Sequence, residues 1–478
     1  MILKNAPLKE GYALADKLGV PVIDEKDRLK ITGKVLSVMC DHKKAAQLAS
    51  AGEAYYVFRK LHAGLDEDAP AATLLGDYFF SVFSCLIFPF QEMLLLDRFS
   101  DLLQTDFIDS VKKGKEIDLD EYLVFLETVC GLLIDNAGQR PKNNSFLWLK
   151  EWSFSEMNAC EARDGEVRER VQKHLRLMEK LFLDFFSDDD AELQKYILSV
   201  LLTGGKRIRP TLAFLAACFG DVTTDEIVPL MAIIELIHSC SLVHDDVVDR
   251  AMTRRGRPTI YAEKGNHVAV QIGDYALSKS VGLFKQYIGT GIGEVLVETS
   301  LQMCIGELHQ LREEYDFSVQ SIDNYMERTK HKTAYLISNS CYTGAIIGKL
   351  PNQWKDALKH YGLSFGMAFQ LCDDVLDYEG ASIEGKPAYQ DMNRGIFTLP
   401  LLYALDKKFD NEIFTLLNKR EKSDNECKII VEWVRNSGGI VHTKTLAADY
   451  ADEALLALGC LPDCGAKELL ADMVNKYR

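Results

Sequence analysis

Two segments of this chain end an apolar helical run in three acids at the same spacing, and that repetition constrains the fold more than anything else in the sequence. The first is Leu242-Val243-His244-Asp245-Asp246-Val247-Val248-Asp249, after the apolar run from Met231 to Val243. The second is Gln370-Leu371-Cys372-Asp373-Asp374-Val375-Leu376-Asp377, after Leu363 to Phe369. Residues four apart share a helix face, so Asp245 with Asp249 and Asp373 with Asp377 are like charges that repel. A solvated charge face explains one such motif. Two of them, each closing a buried helix, ask for a divalent cation. Mg²⁺ suits them because it takes carboxylate and phosphate oxygens and keeps some waters. Facing helices would set both clusters at one end of a bundle cavity, a common place for metal sites.

The surrounding text is helical. Val167, Val171, Leu175, Met178 and Leu181 recur at helical spacing, and Ile227 to Asp249 and Tyr361 to Tyr378 are longer runs of the same kind. No long segment alternates with period two, and few Gly or Pro interrupt the chain. The expectation is an all-α bundle around a central cavity. The polar stretch Asp135 to Ser145 places a boundary near residue 150, between a helical accessory domain (1–150) and a larger domain (151–478). The N-terminus lacks the layout of a signal peptide. The longest uncharged run, Tyr78 to Gln91, is too short to span a bilayer. It reads as a buried helix, with a membrane-leaning surface as the alternative.

A net charge of −16 argues against a nucleic-acid partner. It is compatible with a diphosphate gathered through metal ions. The 12 Cys include no CxxC pair, and Cys460 with Cys464 is too isolated for a zinc site. They read as small buried hydrophobes in a reducing, cytoplasmic setting.

Three weaker motifs lie around the acids. Gly204-Gly205-Lys206-Arg207-Ile208-Arg209-Pro210 lets backbone approach a ligand, starts a helix at Pro210 and offers three cations, though a solvated basic loop reads the same way. Gly273-Asp274-Tyr275-Ala276-Leu277-Ser278-Lys279 is a small-residue turn opening a helix. Lys332-Thr333-Ala334 offers an ammonium and a hydroxyl to a phosphate.

In this order, with Arg254-Arg255-Gly256 and Gly385-Lys386-Pro387, these segments resemble the trans-isoprenyl diphosphate synthase family over roughly residues 160–478. The resemblance implies a bundle of long antiparallel helices around a deep cavity. It implies condensation of isopentenyl diphosphate with an allylic diphosphate, with Mg²⁺ held by Asp245, Asp249, Asp373 and Asp377. Lys206, Arg209, His238 and Arg255 match the family's isopentenyl diphosphate contacts. Arg254, Lys332, Thr333, Gln370 and Lys386 match its allylic diphosphate contacts. Asp245, Asp249, Asp373, Lys332 and Arg254 are expected to carry catalysis. One departure stands out: the family often has Lys where this chain has Ile396, so one phosphate contact is missing unless Arg394 substitutes.

Product length is expected to depend on Ser241, Cys240 and Ile237, one and two turns below Asp245. Each turn rises about 5.4 Å, close to one extended isoprene unit. An aromatic side chain closes the floor in short-chain members. Cys240 and Ser241 leave it open here, so a long product for a quinone side chain is expected, hexaprenyl to octaprenyl. A geranylgeranyl product is the alternative, because Ile237 restricts growth one turn deeper. A terpene cyclase is the nearest rival enzyme, but it needs no isopentenyl diphosphate site.

In the N-terminal region, Leu75-Gly76-Asp77-Tyr78-Phe79-Phe80-Ser81 echoes Ile272-Gly273-Asp274-Tyr275-Ala276-Leu277-Ser278. Either this is chance within an accessory domain, or residues 1–150 are a degenerate partner. In the second case they resemble the non-catalytic small subunit of two-component hexaprenyl and heptaprenyl diphosphate synthases. The expected assembly is a homodimer or an intrachain pseudo-heterodimer.

Overall fold

Helices dominate the structure, a computed structural model that describes residues 6–17, 27–28, 30–31, 42–63, 70–87, 122, 164–379 and 389–478. The domain boundary expected near residue 150, and Lys386, lie outside these residues. The N-terminal helices are α1 (Ala6–Lys17), α2 (His42–Ala63) and α3 (Pro70–Ile87). The bundle begins with α4 (Asp164–Phe185), α5 (Ala191–Leu202), α6 (Ile208–Ala217) and α7 (Thr224–Val248). It continues with α8 (Ile260–Phe284), α9 (Ile292–Glu313), α10 (Ile322–Thr329), α11 (Tyr335–Ile347) and α12 (Asn352–Glu379). After residue 389 the long helix Gly439–Ala457 packs along α12, and the short helix Leu399–Lys407 touches both. Among the described residues the only strands are Thr253–Arg254 and Arg257–Pro258, an antiparallel pair in the α7–α8 connection. The all-α expectation holds.

Helix α7 forms the axis of the bundle. Its start is fixed by a capping box in which the Thr223 backbone N–H donates to Glu226 Oε2 at 2.9 Å. From Ile227 to Ile237 every residue is buried, so the helix is apolar all round and belongs inside a core. Length and composition alone would let it cross a membrane, but most of it is buried in protein. The acids then fall in its last turn, where the negative end of the helix dipole adds to their mutual repulsion. Helix α12 likewise ends in its acidic motif.

The N-terminal helices dock on this bundle. Helix α3 lies along α9 and touches α7, while α2 touches α8. Tyr78, Phe79, Phe80, Val82 and Phe83 are buried, which supports the buried-helix reading of the apolar run over its described part.

Two reciprocal contacts tie the units together. His244 of α7 meets Asp77 of α3 (Nδ1 to Oδ2, 2.7 Å), and His62 of α2 meets Asp274 of α8 (Nδ1 to Oδ2, 2.6 Å). Each imidazole also sets Nε2 against a carbonyl of its own unit, Val270 at 3.2 Å for His244 and Thr73 at 2.9 Å for His62. A side chain at Gly76 would strike His62, and one at Gly273 would strike His244. His62, Thr73, Gly76 and Asp77 therefore do on one side what His244, Val270, Gly273 and Asp274 do on the other. Such exchange of identical contacts is what an isologous two-fold interface produces.

Candidate active site

Asp245 and Asp249 occupy one face of the last turn of α7. Burial pushes the Asp245 carboxyl up to about 8, with Glu307 and Asp249 adding to the effect and Lys332 and Arg254 opposing it. Two protein cations lie among these acids. Lys332 donates to Glu307 at 2.9 Å and to Gln310 Oε1 at 3.3 Å. Arg394 donates to Asp249 and, at 2.5 Å, to Glu314. A half-buried set of hard carboxylate oxygens, destabilised by its own charge, fits Mg²⁺ well.

The middle acid has another task. Asp246 is buried and accepts from Arg254 Nε at 2.9 and 3.0 Å and from Nη2 at 2.8 Å. This bidentate pair fixes the guanidinium beside the Asp245–Asp249 face, whose charges reinforce its protonation. The division of labour comes from helix geometry, since adjacent residues point in different directions.

The second motif shows a similar split. A single π-helical turn, Lys330–Ala334, joins α10 to α11 and carries Lys332 and Thr333. Such turns often mark functional sites. Thr333 Oγ1 donates to Gln370 Oε1 at 2.8 Å, and Gln370 Nε2 donates to Asp374 Oδ1 at 2.8 Å. Tyr325 donates to the other oxygen of Asp374 at 2.6 Å. Burial pushes Asp374 up to about 7, against the pull of these two hydrogen bonds. Asp374 thus positions Gln370, while Asp373 is exposed and Asp377 is half-buried, accepting from the Tyr389 backbone N–H at 2.9 Å. The two motifs are linked through Glu307, Lys332, Thr333 and Gln370.

The Gly204–Gly205 loop builds a cationic corner. Both glycines have positive φ, which a side chain would resist. Arg255 lies against Gly205 and donates to the carbonyls of Thr203 (2.8 Å) and Gly204 (3.0 Å). Arg209 Nη1 donates to His238 Nε2 at 3.1 Å. Burial and then the surrounding Arg209, Arg255, Arg254 and Arg207 push His238 well down, so it is a neutral acceptor. Arg209 Nε is buried without a partner, and burial lowers the guanidinium to about 10 against the pull of Glu235. Lys206 is exposed at the loop tip. One expectation needs correction here. Arg207 does not face a ligand; it turns inward to Glu235 and the Leu201 carbonyl, because a buried glutamate on α7 demands a cation.

Below the acids, Cys240 and Ile237 are buried and Ser241 Oγ donates to the His238 carbonyl at 2.8 Å. Ile237 lines a cavity with Leu277, Phe284 and Val297, and with Phe80 and Ser84 of α3. At about 20 Å³ it has room for little more than one water molecule. Ile396 is only 2% exposed and takes no part in the polar site. Arg394, two residues earlier, supplies the cation at that rim.

Sequence reading missed Glu307, Glu314, Tyr325 and the His62–Asp77–His244–Asp274 contacts. The first three are lone polar residues in helical text and carry no local signal. The last had one, the repeated Gly-Asp-Tyr.

The description "Polyprenyl synthetase" belongs to the family profile that matches residues 190–434. Heptaprenyl diphosphate synthase component 2 of Bacillus subtilis is 36% identical over 336 residues, covering 70% of this chain and 92% of that one. Nonaprenyl diphosphate synthase of Mycobacterium tuberculosis is 32% identical over 316 residues, 65% of this chain and 94% of its own. The crystal structure of a polyprenyl synthase from Caulobacter crescentus, complexed with calcium and isoprenyl diphosphate, superposes with a TM-score of 0.62 at 31% identity, covering 66% of this chain and 97% of that one. The chain belongs to the polyprenyl synthetase family.

Proposed function

We propose that this protein condenses isopentenyl diphosphate head-to-tail with an allylic diphosphate, releasing diphosphate and making a long-chain polyprenyl diphosphate. The observation that carries this reading is the pairing of a half-buried carboxylate face (Asp245, Asp249) with a separate cationic corner (Lys206, Arg209, His238, Arg255), one for each diphosphate. Arg209 weighs most, because its buried Nε has no partner in the protein and suits an anion. A terpene cyclase needs no such second site.

Asp245, Asp249, Asp373 and Asp377 would hold Mg²⁺, which when bound supplies charge that stabilises the departing diphosphate. Lys332 and Arg254 are already aimed at the same face and add donors there, with Arg394 at its rim. Thr333 and Gln370 hold their orientation through Asp374. The allylic C–O bond breaks with its electron pair leaving on diphosphate. The isopentenyl double bond attacks the resulting cation, and a proton then passes to the released diphosphate. No nucleophilic side chain is required. Cys240, Ser241 and Ile237 set the floor that the growing tail meets, and α3 contributes Phe80 and Ser84 beneath it.

The N-terminal helices serve as an intrachain partner that covers the face a second copy would use. The reciprocal His–Asp contacts support this, and so does Ala63, which comes after His62 where Asp245 comes after His244. The B. subtilis relative is named as one component of a synthase, which gives the arrangement a parallel. A cytoplasmic site of action at the surface of the membrane that receives the apolar product completes the reading. Incubating the purified full chain with isopentenyl diphosphate, farnesyl diphosphate and Mg²⁺ tests it. Mass analysis should show products longer than geranylgeranyl. Cyclised hydrocarbons, or no consumption of isopentenyl diphosphate, would overturn it.

A further inference from the structure

The two reciprocal contacts between the units are alike in geometry, but the two histidines have unlike neighbours in the chain. His244 is bonded through the peptide link to Asp245, the first acid of the metal-binding turn, whereas His62 precedes Ala63. Asp77 reaches His244 at 2.7 Å from a helix that belongs wholly to the N-terminal unit. We infer that Asp77 is a positioning residue for the diphosphate–metal site, acting through His244 to fix the turn that carries Asp245 and Asp249.

The physical case starts from the turn itself. Three acids at the negative end of a helix dipole push one another apart and tend to unwind the last turn. Something must hold it while the site is filled and emptied. His244 is anchored on both ring nitrogens. A carbonyl oxygen only accepts, so Nε2 carries the proton given to Val270, and Nδ1 then meets a carboxylate. Asp77 Oδ2 lies 2.7 Å from Nδ1 and the Val270 carbonyl 3.2 Å from Nε2, so the ring is held across the interface and within its own unit at once. Hydrogen bonds on both ring nitrogens fix the plane and tilt of the imidazole. A His244 side chain only 4% exposed cannot drift without losing both contacts, and its burial keeps water from replacing them.

The mirror pair, His62 with Asp274, does the same work of joining the units. The four rings and carboxylates lie close, with Asp77 Oδ1 3.8 Å from His62 Nε2 and Asp274 Oδ1 3.7 Å from His244 Nε2. His62, Asp77 and Asp274 approach closely enough to suggest a second metal site. Yet every ring nitrogen in the cluster already faces an oxygen, so neither imidazole turns a nitrogen toward a shared ion. The symmetry supplies an internal control. Both aspartates are buried against a histidine across the same interface, and only one of those histidines adjoins a metal ligand.

This inference rests on the synthase reading above, and the experiment separates the two. Asp77→Asn and Asp274→Asn are made in the full chain. Thermal melting and binding of inorganic pyrophosphate with Mg²⁺ by calorimetry are measured beside turnover. Loss of one interface carboxylate should lower the melting temperature of both variants by similar amounts. Asp77→Asn should in addition weaken Mg²⁺–pyrophosphate binding about tenfold, the lower end for loss of an outer-shell partner. Asp274→Asn should leave it within about twofold, inside the range of unrelated substitutions. Equal weakening in both variants, or none in Asp77→Asn, would overturn the inference. If either Asn variant loses its cooperative melt, Asp77→Glu and Asp274→Glu replace the pair and are read by the same asymmetry. If pyrophosphate binding responds as stated while the wild-type chain makes no prenyl product, the positioning role stands and the synthase reading fails.

Discussion

Asp246 and Asp374 hold the middle place in their motifs, and neither faces the site as its neighbours do. Each is buried and each holds a neighbouring polar side chain, Arg254 in one case and Gln370 in the other. A motif of three acids therefore contains outer acids suited to a cation and a middle acid that fixes an organic donor. The distinction is measurable. Asp246→Asn keeps shape but removes the charge that holds Arg254, so KM for the allylic diphosphate should rise about tenfold, the cost of one charge-assisted hydrogen bond. The Mg²⁺ requirement should change little. Steady-state kinetics at saturating and limiting Mg²⁺ separate the two, and a large rise in the Mg²⁺ requirement would place Asp246 among the ligands instead. Arg207 teaches the opposite lesson to Arg254. It sits in the same basic run as Lys206 and Arg209, but Glu235 takes it inward, and nothing near it in the sequence announces Glu235.

Among the elements, α7 and α3 together line the cavity below the first acidic motif. Helix α7 brings Cys240 and Ile237 below Asp245, and α3 brings Phe80 against the same cavity. Cys240→Phe should shorten the product by filling space one turn below the acids. Phe80→Ala should lengthen it, because the ring presses on the cavity from the N-terminal unit. Thin-layer analysis of the dephosphorylated products reads both, and an unchanged pattern in Phe80→Ala would confine length control to the bundle. The π-helical turn at Lys330–Ala334 is the other element that matters, because it presents Lys332 and Thr333 from consecutive positions to Glu307 and Gln370. A regular helix separates adjacent side chains by about 100°, and the wider turn changes that spacing.

For the molecule as a whole, the N-terminal helices cover a face of the bundle with a near-copy of its own contacts. On the proposal that these helices take the place of a second copy, the 53.8 kDa chain should remain a monomer. Light scattering on the full protein checks this, and a mass twice as large would show that a second copy binds elsewhere or displaces the N-terminal unit.

The sequence by itself determined the helices and the chemistry. Apolar residues at helical spacing specify which faces are buried, and the two acidic motifs point to a divalent cation, because a solvated charge face explains one such motif but not two that each close a buried helix. The resemblance to prenyl diphosphate synthases was legible for the same reason, since each motif is short and local. Tertiary structure decided what long-range pairing decides: that Arg207 turns away, that Asp246 and Asp374 serve as orienting groups, and that Glu307 and Glu314 join the site. It also decided that the Gly-Asp-Tyr echo places Asp77 against His244 from the far end of the chain. Hydrogen-bond partners separated by 167 residues leave no local pattern, so only packing brings them together.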